Sequence, residues 1–359
     1  MDTKTDLLLY LVYGADSYHQ EAVFSIVSAV ARLRESADTA VRIEVFADRR
    51  EPYAALPVRV HALDGITLSR WRAPHGYHFR TKHAALHAVL TDGAEPAQRA
   101  ILIDTDTFFH TSPSALFERI APGTLLCNRI GGRYADMREA TLYRTLAPRL
   151  QSQRLADDDM PLLNSGVIGL CRGDAPLLQR SLALMDELFP HAEGAYTLEE
   201  FVLATAARER AFCLSECPTL IHHYWSRKQL FRAKIQAWLR KHGQAPLTAC
   251  ALADVAAVSD TLPRPPAPQR LIHKLVTRLL PAGQRQFSRE LLYGCYPHAN
   301  EFDRACGPVW WDKALANLRE RHDVSNSEIE RWLDGFTLRR LLGEHTAAIR
   351  RHLKHQKAN

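Results

Sequence analysis

The segment Arg99-Ala-Ile-Leu-Ile-Asp-Thr-Asp-Thr-Phe-Phe109 decides how this chain folds. Its short apolar run, Ala100 to Ile103, ends in two carboxylates, Asp104 and Asp106. Residues i and i+2 of an extended segment point to the same side, so a buried strand here would deliver both carboxylates to one spot at the sheet edge. Hard divalent cations take oxygen ligands of this kind. The alternative is a strand end followed by a solvated turn that uses aspartate as a cap.

The composition is that of an ordinary globular protein, with 46% hydrophobic and 24% charged residues in a chain of 359. No apolar stretch is long enough to cross a bilayer, and the first apolar run, Leu7–Tyr13, is expected to be a core strand and not a secretion signal. Seven cysteines without a C-x-x-C pair indicate free thiols in a reducing compartment. We therefore expect a cytoplasmic protein.

Strands and helices alternate along the first part of the chain. Apolar runs predict strands at Leu7–Tyr13 and Val41–Ala47, and the spacing of apolar residues predicts helices over 21–33 and 81–90. This alternation predicts an α/β fold of the Rossmann type, with a mostly parallel sheet and helices on both faces. Ligands of such sheets bind beyond the carboxyl ends of the strands, so the loops after the first strand and after Ile103 should share a site.

Charge is distributed unevenly along the chain. Residues 226–359 contain 23 Lys/Arg and 12 Asp/Glu, a net charge of +11, and the rest of the chain carries −5. We expect one domain over 1–230 and a helical, basic C-terminal region over 231–359, with a proline-rich linker at 261–268. Such a surface could contact anionic lipid, an acidic glycan or nucleic acid, although merely solvated helix faces would look the same.

Five motifs follow one another between the first strand and the start of the basic region. They are Gly14-Ala-Asp-Ser-Tyr18, Asp104-Thr-Asp106, Asn164-Ser-Gly166, Leu198-Glu-Glu-Phe201 and Ile221-His-His-Tyr-Trp-Ser-Arg-Lys228. In this order they resemble the pattern of nucleotide-sugar glycosyltransferases of the GT-A type, and in particular glycosyltransferase family 8, which includes glycogenin and bacterial lipooligosaccharide galactosyltransferases. The resemblance covers roughly residues 7–230. It implies a GT-A catalytic domain that binds a UDP-sugar donor together with Mn²⁺ or Mg²⁺.

The resemblance implies a donor site at the first motif and at the helix after it. An aromatic ring can stack on uracil while a carboxylate accepts from the base or from a ribose hydroxyl. The loop residues with this implied role are Gly14, Ala15, Asp16 and Tyr18. The family also has a basic donor contact near the start of the next helix, for which Arg80 and Lys82 are both candidates here.

The second and fifth motifs resemble the metal and diphosphate contacts of the family. Asp104 would touch both metal and donor, Asp106 would grip the metal, and the His-x5-Lys spacing adds His222 as third ligand and Lys228 as diphosphate contact. His223 is one residue out of this register and should face the other way. The family's flanking Gly and Pro-Trp are absent, so the arginine before Lys228 is an alternative. Two carboxylates and one imidazole leave open positions for diphosphate oxygens.

The third and fourth motifs resemble the residues around the transferred sugar. Asn164 would lie beside the sugar, Glu199 would bind a sugar hydroxyl, and Glu200 stands where the family has an amide near the anomeric carbon. A carboxylate at that position could act as nucleophile or general base, which an amide cannot. Two surface glutamates in the first turn of a helix would give the same sequence.

The family's chemistry would transfer a hexose to an acceptor hydroxyl on a bacterial surface glycan or glycolipid, with retention of configuration. Charge neutralisation at the departing diphosphate would be the main catalytic effect. The basic C-terminal region, with Trp310, Trp311 and Trp332, could then dock the protein peripherally on the inner face of the membrane. No nucleic-acid partner is expected.

Two other classes of protein fit parts of the sequence. Residues 101–107 also fit the Asp-x-Asp-x-Thr motif of haloacid-dehalogenase-type phosphohydrolases, with Asp104 as nucleophile and Asp106 as acid/base. That motif normally follows the first strand, whereas about a hundred residues precede it here. The third hypothesis, a noncatalytic protein that binds anionic polymers, explains the basic C-terminal region but leaves the five motifs without a role.

Overall fold

The computed structural model describes residues 6–37, 39–92, 97–194 and 197–355. Within these residues the strands are β1 (Asp6–Val12), β2 (Val41–Ala47), β3 (Arg59–Ala62), β4 (Arg99–Ile103), β5 (Thr107–Phe109), β6 (Thr124–Arg133), β7 (Pro161–Cys171), β8 (Cys213–Glu216) and β9 (Ile221–His223). The helices are α1 (Asp16–Glu35), α2 (Gly65–Arg72), α3 (Arg80–Thr91), α4 (Ser114–Phe117), α5 (Thr141–Ser152), α6 (Pro176–Leu188), α7 (Leu198–Glu209), α8 (Lys228–His242), α9 (Ala249–Ala257), α10 (Ala267–Val276), α11 (Arg285–Gly294), α12 (Glu301–Arg304), α13 (Gly307–Arg321), α14 (Asn326–Asp334), α15 (Phe336–Leu342) and α16 (His345–His355).

Seven strands form one sheet in the order β3-β2-β1-β4-β7-β6-β8, and β5 pairs with β9 in a small second sheet. The pairs β1/β2, β1/β4, β2/β3 and β6/β8 are parallel, whereas β7 runs antiparallel to both β4 and β6. The described C-terminal segments after β9 are helical. The predicted fold class, an α/β fold with a mostly parallel sheet and a helical C-terminal region, is confirmed.

Helices cover both faces of the central strands. The Tyr10 hydroxyl lies 2.9 Å from the Ser25 hydroxyl, which places α1 on the face to which the even-numbered residues of β1 point. Leu7 and Leu9 of the same strand belong to the opposite core, together with residues of α3, α6 and α7. Because both faces are buried, β1 and β4 are continuous apolar runs without an alternating pattern.

The antiparallel direction of β7 positions its first residues. A strand antiparallel to β4 begins where β4 ends, so the Asn164-Ser-Gly166 segment meets the residues that follow Ile103. The Asp104 N–H donates to the Gly166 carbonyl at 2.9 Å and closes this junction. Two motifs sixty residues apart in sequence are therefore adjacent at one edge of the sheet.

The chain divides into two compact units, residues 1–225 with 244–256 and residues 226–243 with 257–359. The proline-rich segment belongs to the second unit, where the Trp310 indole N–H donates to the Pro263 carbonyl at 2.7 Å. Trp310 and Trp311 are 3% and 8% exposed. The expectation that these two tryptophans face a membrane is therefore wrong, because both are packed inside the second unit.

Helical spacing predicts one helix over 329–354, which the structure divides into α14, α15 and α16. The breaks fall at Gly335 and Gly343, and Gly343 adopts a left-handed conformation with φ of 56° that L side chains rarely take.

All seven cysteines are free thiols. In the part of the chain that the structure describes, every helix is too short or too polar to cross a membrane.

Candidate functional site

The two aspartates lie in the bend between β4 and β5, and their backbone is held from both sides. Asp104 bonds to β7 as described above, and the Asp106 carbonyl accepts from the Tyr224 N–H at 3.0 Å. The Thr107 hydroxyl also donates to the Asp104 carbonyl at 2.8 Å. The side chains of Asp104 and Asp106 are only 20% and 7% exposed. The sequence alternative of a freely solvated turn is thus excluded, because the carboxylates are largely buried.

His223 completes a three-residue cluster with these aspartates. Its Nε2 lies 3.4 Å from an Asp106 carboxylate oxygen and 3.8 Å from one of Asp104, and the ligand atoms of all three residues lie within 4.8 Å of one another. The predicted third ligand, His222, does not belong to the cluster: its ring centroid lies 6.0 Å from that of His110, although the residue borders the neighbouring cleft. The structure therefore places His223, and not the predicted His222, beside the two aspartates. In β9, His223 pairs with Thr107 and His222 with the next residue of β5, so the two imidazoles point to opposite faces.

The tautomer of His223 is set by Asn164. His223 Nδ1 lies 2.8 Å from Asn164 Oδ1, and the same oxygen accepts from the Gly166 N–H at 3.2 Å. An amide oxygen can only accept, so Nδ1 carries the proton and a neutral imidazole has its lone pair on Nε2, on the side of the aspartates. A Cβ on Gly166 would lie 2.2 Å from His223 Nδ1, which explains why this position is a glycine.

Lys82 supplies positive charge to the same spot. Its ammonium lies 2.8 Å from an Asp104 carboxylate oxygen and 3.4 Å from the Ser165 hydroxyl. Burial acts to lower the pKa of this amine, but the nearby carboxylates of Asp104 and Glu199 outweigh it and raise the pKa above its ordinary value. Lys82 is therefore a firmly charged cation inside the site.

Of the two glutamates of α7, Glu199 is buried at the site and Glu200 is half-buried there. Glu199 accepts from the Tyr77 hydroxyl at 2.8 Å and from the Ser165 hydroxyl at 3.2 Å, and Glu200 accepts from the Ser165 N–H at 2.8 Å. Burial raises the pKa of Glu199 to about 7 and also raises that of Glu200. The alternative of two solvated glutamates is excluded for Glu199, which is 3% exposed.

The loop after β1 is organised by two residues that the sequence interpretation missed, Asp48 and Arg49. The Gly14 N–H donates to an Asp48 carboxylate oxygen at 2.9 Å, and Arg49 donates to Asp16 at 2.6 Å and to the Gly14 carbonyl at 3.2 Å. Arg49 lowers the pKa of the exposed Asp16 carboxyl. Asp48 directly follows β2, a parallel neighbour of β1. A carboxylate at the carboxyl end of a neighbouring parallel strand is the sequence signal that could have identified it.

The remaining residues predicted to contact the donor lie at separate places in the structure. Ala15 precedes the first turn of α1, and Tyr18 is 41% exposed in the same turn. Arg80 is held by Asp186 through two bonds of 2.7 and 2.9 Å, so Lys82 and not Arg80 reaches the aspartates. Lys228 is the first residue of α8 and belongs to the second unit.

A cleft of about 630 Å³ adjoins the cluster. Asn164 and His223 form part of its wall, together with Asn128, Arg129 and Trp225. Gly131 and Gly132 of β6 also border it, and neither brings a side chain into the space. The cleft is large enough for a small polar ligand, and most of these wall residues offer hydrogen-bonding groups.

Neither protein-family profiles nor curated proteins give a match to this chain. Solved structures give distant similarities, of which three are described here. Mouse xyloside xylosyltransferase 1 in its apo form is 17% identical, with 59% of this chain and 85% of that chain covered and a TM-score of 0.41. Galactosyltransferase LgtC in complex with donor and acceptor sugar analogs is 14% identical, covering 72% and 97%, with a TM-score of 0.44.

The third similarity is to the apo structure of WbbM, a bifunctional glycosyltransferase. It is 11% identical over 61% of this chain and 39% of that chain, with a TM-score of 0.37. These similarities concern the path of the chain and carry no assignment of residues.

Proposed function

We propose that this chain is a metal-dependent glycosyltransferase of the GT-A type, which moves a hexose from a UDP-sugar to an acceptor hydroxyl. The observation that carries the proposal is the convergence of Asp104, Asp106 and His223 with the charged Lys82 at the carboxyl end of β4. Such a constellation suits a nucleoside diphosphate, which needs positive charge at its phosphates.

The donor set fits a Mn²⁺ or Mg²⁺ ion. Two carboxylates and an imidazole Nε2 lie close enough to share one ion, and His223 is oriented by its Nδ1 bond to Asn164 in the manner of metal-binding histidines. With three protein ligands, coordination positions stay open for diphosphate oxygens. The bound ion would offset negative charge on the departing diphosphate.

The chain's own residues supply the remaining chemistry. Lys82 places a fixed cation beside Asp104, where it can also bind a diphosphate oxygen. In the proposed roles Glu199 binds a sugar hydroxyl and Glu200 lies near the anomeric carbon. Its carboxylate supports retention if it acts as the nucleophile, whereas action as a general base would invert the configuration. Burial keeps Glu199 partly protonated near neutral pH, so that it can donate as well as accept.

The nucleotide site is proposed to extend to the loop after β1. Gly14 to Asp16 and Tyr18 follow a parallel neighbour of β4, so they lie along the same sheet edge as the aspartates. In this proposal the Tyr18 ring, which is 41% exposed, stacks on the base.

The acceptor is proposed to be a glycan or glycolipid of a bacterial surface. The net charge of +11 over residues 226–359 supports a site of action on the inner face of the membrane, where anionic lipid is present. In this proposal the protein is cytoplasmic and peripheral.

The test is UDP release by the purified chain with a panel of UDP-sugars, with and without Mn²⁺. We expect metal-dependent release with one donor, and a loss of about a hundredfold or more in Asp106→Ala and His223→Ala. His222→Ala is the matched change on the same strand and should cost much less activity than His223→Ala, because His222 borders the cleft but is not in the cluster with the aspartates. Glu200→Gln separates hydrogen bonding, which survives the change, from base or nucleophile chemistry, which does not.

Two results would contradict the proposal. One is the absence of UDP release across the whole panel. The other is phosphomonoester hydrolysis that depends on Asp104, which would move the chain to the phosphohydrolase class.

A further inference from the structure

Helix α10 of the second unit exposes a row of apolar side chains. The row, here called the α10 ridge, consists of Leu271, Ile272, Leu275 and Leu279, which are 57%, 49%, 49% and 76% exposed. These are four of the nine exposed large apolar side chains in the described part of the chain. Steps of one, three or four residues put them on one side of the helix and of the turn that continues it.

The polar and apolar sides of α10 are the reverse of those of an ordinary surface helix. Its inward side carries His273 and Thr277, which are 8% and 1% exposed, and packs the His273 ring 5.8 Å from the Tyr293 ring. The Thr277 hydroxyl is satisfied by the His273 carbonyl at 2.7 Å. A helix on a globular protein normally turns its polar side outward, so the outward apolar ridge indicates a nonaqueous partner.

The charge around the ridge favours one kind of partner. Residues 261–289 contain six basic residues and no Asp or Glu. They are Arg264, Arg270, Lys274, Arg278, Arg285 and Arg289. At 100° per residue, Lys274 and Arg278 lie directly beside the apolar row, on the flank away from Ile272. Basic residues that flank an outward apolar face are the pattern of helices that lie in the interface of anionic bilayers.

A second copy of the chain is a poorer partner for this surface. A symmetric contact of the ridge with itself would bring two clusters of like charge together, without an acidic residue among 261–289 to offset them. An anionic lipid surface receives the apolar side chains and neutralises the same cations.

We propose that the α10 ridge is the membrane-docking element of this protein, and that it inserts its four apolar side chains into the headgroup region of an anionic bilayer. Lys274 and Arg278 then contact lipid phosphates or carboxylates. This surface replaces the buried tryptophans as the membrane contact. The inference does not depend on the proposed catalytic activity.

The test is flotation of the full chain with vesicles of phosphatidylcholine that contain about 30% phosphatidylglycerol, beside vesicles of phosphatidylcholine alone. We expect binding to the anionic vesicles, a loss of about tenfold or more in Leu271→Ser/Leu275→Ser/Leu279→Ser, and a similar loss in Lys274→Glu/Arg278→Glu. Phe336→Ser is the matched control, because Phe336 is 78% exposed in the same unit but lies outside the ridge.

Hydrogen exchange of the unaltered chain gives a second measurement that needs no variant. Amides of residues 267–279 should become protected when anionic vesicles are added. The proposal is overturned by a wild-type chain that does not float, by equal binding of the triple serine variant, or by protection elsewhere only. Self-association without lipid that the triple serine variant abolishes, in a chain that does not bind vesicles, would assign the ridge to a second copy instead.

Discussion

The β4 edge of the first unit buries charge, whereas α10 of the second unit exposes hydrocarbon. Lys82 and Glu199 have side chains that are almost closed to solvent, while Leu279 is 76% exposed. Both arrangements oppose the usual distribution of polar and apolar groups in a globular protein. At the edge the charges offset one another through short bonds, but along α10 nothing in the described part of the chain covers the ridge.

This difference shows that a site for a charged ligand and a site for a lipid surface need different arrangements of side chains. A charged ligand needs preorganised, partly desolvated groups, which cost free energy unless they are paired before it arrives. A lipid surface needs only apolar area and nearby cations, which cost little while they stay in water. The first kind of site therefore perturbs the pKa values of its own groups, as it does for Lys82 and Glu199.

Glu199→Gln tests the buried side of the comparison and has the largest expected effect on stability. Burial raises the pKa of Glu199 from 4.5 to about 7 in the folded chain, so the unfolded chain loses this proton first as pH rises. The free energy of unfolding should then fall between about pH 4.5 and about pH 7, by about 3 kcal/mol from this group. Glu199→Gln should remove that fall, as measured by urea denaturation across this pH range.

An exposed carboxyl supplies the control for this experiment. Glu51→Gln makes the same chemical change at a solvent-exposed side chain and is the matched control. An identical fall in the wild type and in Glu199→Gln would show that Glu199 is not the group responsible.

Gly166→Ala disturbs the packing that orients His223. The new Cβ would lie 2.2 Å from Nδ1, so the ring must move away from Asn164. We expect a loss of about 1–3 kcal/mol in the free energy of unfolding, together with a fall of about tenfold or more in metal-dependent UDP release. Gly173→Ala is the matched change, since a Cβ there meets no atom within 4 Å, and it should alter neither quantity. Equal behaviour of the two variants would refute the packing argument.

Leu275→Ser tests the exposed side and has the smallest expected effect. Because the side chain is 49% exposed, the free energy of unfolding should change by less than about 0.5 kcal/mol. Leu291→Ser, at a fully buried position in the core of the same unit, should cost about 3 kcal/mol or more. Thermal and denaturant unfolding of both variants measures the contrast, and a large loss in Leu275→Ser would mean that the ridge supports the fold.

Much of the fold could be predicted from local sequence patterns. The bounds predicted for one strand, Val41–Ala47, match β2, and the apolar run before Asp104 is β4. Several elements were not predicted, among them α2, β6, α5 and β8. The sequence of β6 is apolar only in its first half and ends in Gly131-Gly132-Arg133, which gives neither a strand nor a helix period.

The candidate site could be predicted in its chemistry but not in all its members. Asp104 and Asp106 follow a strong strand pattern, so their meeting place at the sheet edge was foreseeable. The choice between His222 and His223 depended on the pairing of β9 with β5, more than a hundred residues earlier in the chain. A shift of one residue in such a pairing reverses which side chain faces the site.

The sequence by itself determined the α/β class, the strand that delivers the two aspartates and the basic character of the C-terminal region, because periodicity and composition act between near neighbours. Tertiary structure alone decided that His223 joins the aspartates and that Lys82 does so in place of Arg80. It also decided that α10 turns its apolar side outward. These outcomes depend on strand register and helix packing between distant segments, where one side chain is buried only if another, far away in sequence, leaves it room.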